Sequence, residues 1–120
     1  MAKVLMVGND IEHVDIIAYS AEGLGYETVC TYDSIDTVKL AISETVDLVI
    51  LEEKMNGFTG YEASSNLRTD PDVPAELPIL MTFTGIYHDN DLHKAGVTDV
   101  LPWELDPAAF REILVKYTGE

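Results

Sequence analysis

Near-continuous apolar runs at residues 4–7, 46–51 and 77–83 set the rhythm of this chain. They do not alternate with polar residues, which is how strands read when both faces are covered and neither meets water. Segments 27–32 and 98–101 are weaker runs, the first rich in β-formers, and are predicted as two further strands. Helical spacing fills the intervals. Ile11, Val14, Ile17, Ala18, Ala21 and Leu24 recur at three- and four-residue steps, with Asp10 placed as N-cap and Gly23 and Gly25 as stop signals. A second helix is predicted after the cap Ser34, with Ile35, Val38, Ala41 and Ile42 on its apolar face. A third runs from Gly60 through Leu67 and ends at Asp70-Pro71. A short fourth covers 90–95 and stops at Gly96. The fifth opens at Asp106-Pro107, a cap followed by proline at the first helical position, and carries Phe110, Ile113, Leu114 and Tyr117.

Strand and helix therefore alternate along the whole chain, with 69–76 as the longest loop and no linker or repeat. Right-handed crossovers turn that order into a parallel sheet with helices on both faces, a single domain over 1–120. In such folds ligands bind beyond the carboxyl ends of the strands, where strand order reverses. The residues to inspect are Gly8-Asn9-Asp10, Glu52-Glu53-Lys54, Phe83-Thr84 and Pro102-Trp103.

Composition narrows the function. Among 120 residues, 22 Asp and Glu stand against 7 Lys and Arg, a formal charge of −15. A nucleic-acid binder needs cations to displace phosphate counterions, and an anionic membrane repels this chain for the same reason. The acidic excess fits solubility, a salt-rich host or a basic partner surface. The single cysteine, Cys30, reads as a small hydrophobe in a strand and excludes an internal disulfide or a thiolate metal cluster. The first residues are too short an apolar stretch for a secretory signal, and no run reaches the ~20 residues that span a bilayer. A cytoplasmic protein is expected.

At the strand ends the sequence resembles the receiver domain of bacterial response regulators, the CheY-like superfamily. Lys3-Val4-Leu5-Met6-Val7 looks like the first strand and Gly23-Leu24-Gly25-Tyr26-Glu27 like the turn into the second. Asp47-Leu48-Val49-Ile50-Leu51, Gly57 and Gly60-Tyr61-Glu62 follow the third strand, its loop and the next helix start. Ala95-Gly96-Val97-Thr98-Asp99 and Asp106-Pro107 follow the approach to the fifth strand and the exit from it. The resemblance implies a flavodoxin-like three-layer sandwich with strand order 2-1-3-4-5. It also implies a phosphoryl-transfer site. An acidic pair after strand one holds Mg²⁺, and an Asp ending strand three takes the phosphoryl group from a histidine kinase. A Thr or Ser ending strand four and a Lys ending strand five contact the phosphoryl oxygens, and the cation and the ammonium offset charge on the transferring dianion.

The chain departs from that pattern almost throughout. Gly8 and Asn9 stand at the acidic pair, Glu52 at the phosphoacceptor, and Phe83, Val100 and Trp103 at the switch and lysine positions, with Glu104 after Trp103. The resemblance therefore implies a pseudo-receiver in a two-component-type pathway, non-catalytic and acting through protein contacts, with Mg²⁺ binding lost or weak. Trp103 and Phe83 are expected to plug the vacated crevice, or Trp103 and Glu104 to form a contact surface. Other readings stay open: phosphorylation of Glu52, Glu52 as a phosphomimic, a residual divalent site made by Asn9, Asp10 and Glu52, or a flavodoxin-type cofactor site. The partner is expected to be a protein, either basic or another signalling component, with the chain monomeric or weakly homodimeric. No nucleophile–base–orienter set marks an enzyme. His13, His88 and His93 are read as solvated surface histidines, and Glu12, Asp15 and Glu22 as the wet face of the first helix.

Overall fold

The computed structural model describes residues 1–120. Strands β1 (Lys3–Val7), β2 (Glu27–Thr31), β3 (Leu48–Glu52), β4 (Ile79–Phe83) and β5 (Asp99–Pro102) form one parallel sheet in the order β2-β1-β3-β4-β5. Helices α1 (Ile11–Gly23), α2 (Thr37–Ser43), α3 (Gly60–Thr69), α4 (Asp89–Ala95) and α5 (Pro107–Thr118) follow the strands in turn. This is the flavodoxin-like order, with the reversal point between β1 and β3.

The period-two alternation of strand side chains divides the apolar residues between two cores. Val4, Met6, Leu48, Ile50, Leu80 and Leu101 pack with Val14 and Ile17 of α1 and with Phe110 and Leu114 of α5. Leu5, Val7, Val49, Leu51 and Ile79 pack on the opposite face, under Ala41, Ala63 and Leu67 of α2 and α3. Fully burying one such aliphatic side chain is worth ~1.5–3 kcal/mol, so the central strands anchor the sheet. β3 and β4 start later than the apolar runs because Val46 and Leu77 join the core from the preceding loops.

Two helix faces differ from the sequence pattern. α1 begins at Ile11, whose side chain faces solvent, as does Ile16; the inward stripe is His13, Val14, Ile17, Ala18 and Ala21. The second helical segment enters through a 3₁₀ turn at Ser34–Asp36, capped by the Asp33 carboxylate, before α2. Ser34 faces inward because its hydroxyl donates to the Asn56 carbonyl and accepts from the Phe58 N–H, which leaves Ile35 in solvent. Other termini follow the sequence signals. Asp10 and Asp106 cap α1 and α5, Thr59 and Glu62 form a capping box on α3, and Gly96 ends α4 at φ 77°.

Candidate functional site

Alternation carries the α1–α5 face one step beyond each strand's last apolar residue. Gly8 follows Met6, Glu52 follows Ile50, Thr82 follows Leu80 and Trp103 follows Leu101, all at the carboxyl edge. Glu52 and Thr82 are register partners on β3 and β4. His13, in the first turn of α1, comes down over this edge. Its Nδ1 lies 2.8 Å from Glu52 Oε2, with both side chains buried. Its Nε2 lies 3.1 Å from the Trp103 carbonyl oxygen. The imidazole and indole rings stack at 3.5 Å with an interplanar angle of 3°. Glu52 Oε1 accepts the Asp10 N–H at 3.2 Å, so both carboxylate oxygens have partners.

Gly8 makes this arrangement possible. A β carbon there would stand 2.2 Å from Glu52 Cδ, because the longer carboxylate side chain lies back over the Gly8 backbone. Asn9 is a clip between loops: its amide donates to the Tyr32 carbonyl and its carbonyl accepts the Asn56 N–H. The Asp10 carboxylate accepts the His13 N–H as helix cap. Above these groups lies a crevice of about 510 Å³ whose walls include Asp10, Glu53, Lys54, Asn56, Thr84 and Trp103. Thr82 also borders it, with its Oγ1 buried and without a hydrogen-bond partner.

The expected residues thus divide into groups. Glu52 and Trp103 meet, joined by His13, which is buried and not a surface histidine; His88 and His93 are exposed. Phe83 and Trp103 do not fill the crevice together. Strand alternation sends Phe83 to the other face, where it packs with Met81, Leu92 and the partly buried Val100 and meets the Tyr87 ring at 4.9 Å. Glu104 is exposed on the loop after Trp103. Among the flanking groups, burial and then the charges of Asp15 and Glu22 push the half-buried Cys30 thiol upward. The hydrogen bond to Asp15 raises the Tyr32 phenol to about 12. His13 was legible only through its spacing, since His13, Ile17 and Ala21 share one helical stripe.

The chain is 31% identical over 72 residues to the uncharacterized transcriptional regulatory protein YrkP of Bacillus subtilis, 60% of this chain and 31% of that protein. It is 29% identical over 79 residues to the alkaline phosphatase synthesis transcriptional regulatory protein PhoP of the same organism. The chain spans about a third of the length of these relatives. No family model matches it. Chemotaxis protein CheY4 of Vibrio cholerae superposes with a TM-score of 0.88 at 24% identity, covering 98% of each chain. The fold is that of a CheY-like receiver domain. The receiver domain of the Pseudomonas aeruginosa sensor histidine kinase PA1611 superposes with a TM-score of 0.87 at 21% identity, covering 99% of this chain and 98% of that one. That structure has a magnesium ion in its active-site cleft.

The residues at the same edge of this chain offer such an ion few ligands. Gly8 offers no ligand, and an acid in its place would overlap Glu52. The Asn9 amide is engaged at both ends, and the oxygens of Glu52 are taken by His13 and Asp10. Mg²⁺ demands near-octahedral oxygen ligation and gives up its waters reluctantly, and Glu53 is the carboxylate of the crevice wall left without a hydrogen-bond partner. No cluster of His, Cys, Asp and Glu in the chain has the arrangement of a metal site.

Proposed function

We propose that this chain is a pseudo-receiver: a signalling module of two-component type that works through protein contacts without taking a phosphoryl group. The observation that carries this is Glu52, 2% exposed, with each carboxylate oxygen in a hydrogen bond and the His13–Trp103 stack over it. A nucleophilic carboxylate must approach an incoming phosphorus in line and needs cations on the developing charge. This one has an imidazole on one oxygen and a backbone amide on the other. The family's lysine position carries an indole with one N–H and no charge. The same contacts weigh against Glu52 as a phosphomimic, since no ammonium or switch hydroxyl reads it.

The partner on this reading is a protein with a basic or mixed surface, met in the cytoplasm by a monomer or weak dimer of net charge −15. No helix is long and apolar enough to cross a membrane. The test is incubation of the chain with acetyl phosphate and Mg²⁺, then intact mass. An unchanged mass supports a phosphorylation-independent module; gain of one phosphoryl group on Glu52 overturns it.

A further inference from the structure

We infer that His13 is the resident cation of the crevice and that loss of its proton releases Trp103, so that the domain carries a proton-operated latch. The inference rests on the reading that no phosphoryl group enters here. Both ring nitrogens of His13 face acceptors, the Glu52 carboxylate at 2.8 Å and the Trp103 carbonyl at 3.1 Å. Against an ionised Glu52, a neutral imidazole has a single N–H for two acceptors, so one contact would set lone pair against lone pair. An imidazolium satisfies both. It also balances the Glu52 charge in a place where an unpaired carboxylate is costly, and it gains from the face of the stacked indole.

The other charged groups at this edge of the sheet come from each element that meets there. Asp10 is the α1 cap, Glu53 and Lys54 follow β3, and Glu104 and Asp106 lie on the segment that carries Trp103. None of them donates to the Trp103 carbonyl, so His13 alone holds it by a side chain. When the ring loses one proton, the remaining N–H stays on Glu52, because a bond to a carboxylate is the stronger of the two. The bare Nε2 then faces the carbonyl oxygen, and the contact opens. Trp103 lies shortly before Asp106, the N-cap of α5, so the release reaches the start of that helix. The start of α1, the end of β3 and the β5–α5 segment are thereby coupled through one proton.

The full chain tests this directly. At mildly acidic pH the nitrogen-15 spectrum of the His13 ring is expected to show protons on both nitrogens. Raising the pH is expected to remove one of them and to brighten Trp103, the single tryptophan, in the same step, as the quenching imidazolium is lost. His88→Gln and His93→Gln are expected to keep the emission step and His13→Gln to abolish it. A singly protonated His13 ring at that pH overturns the inference, and this needs no variant to fold. An emission step that survives in His13→Gln, or that is absent from the parent chain, also overturns it. Failure of the latch with no phosphoryl adduct leaves the pseudo-receiver reading standing, whereas an adduct on Glu52 brings down that reading itself.

Discussion

The β carbon that Gly8 lacks would stand 2.2 Å from Cδ of Glu52. Gly8 directly follows β1 and Glu52 ends the neighbouring β3, and each explains the other: a carboxylate one methylene longer than aspartate reaches His13 by crossing the space above a glycine. Gly8→Ala is therefore expected to cost about 1–3 kcal/mol by overpacking, read from urea denaturation. In a Glu52→Ala background most of that cost should vanish, a coupling on the order of 1–3 kcal/mol. Equal costs in both backgrounds would mean that the glycine serves another purpose.

Removing one member of a buried pair strands the other. His13→Leu alone is expected to destabilise the fold by about 3–5 kcal/mol, because the Glu52 carboxylate stays buried. His13→Leu combined with Glu52→Met, which keeps the shape and removes both charges, should recover much of the loss. A double variant as unstable as the single one would show that the pair matters through packing and not through charge.

The order of elements and most caps were legible in the sequence because apolar period and cap chemistry are local signals; the strand order 2-1-3-4-5 followed only from the resemblance at the strand ends. The pairing of His13 with Glu52 was not. Counting hydrophobic residues alone placed Ile11 on the inner face of α1 and set His13 outside. The polar residue on the buried stripe is recognised only once a buried carboxylate is known to sit opposite. Phe83 shows the complementary error. Its place at a strand end suggested the crevice, but the parity of β4 turns it toward Leu92, and the residue that borders the crevice is Thr82.

Thr82 offers a separate check. Its hydroxyl is buried without a partner, and such a group costs ~1–3 kcal/mol of desolvation. Thr82→Val should leave stability unchanged or raise it by about 1 kcal/mol in thermal or urea unfolding. A clear loss would show that the hydroxyl is hydrogen-bonded in solution.

The Tyr32 phenol donates to Asp15 and is raised from its ordinary value near 10 to about 12. Between those values the folded chain holds a proton that the unfolded chain has released, so this group's contribution to stability falls as pH rises through that window. Phenolate absorbance of the native chain should include a late component near pH 12 that Tyr32→Phe lacks. An unchanged curve in the variant would remove the Asp15 bond from the account.

An NMR titration of the native chain with Mg²⁺ and beryllofluoride tests most directly whether the Glu52 carboxylate is already neutralised from within. The amides of Gly8, Asp10, Glu53 and Trp103 are expected to hold their positions throughout. Saturable shifts at those amides, with beryllofluoride bound on residue 52, would contradict it.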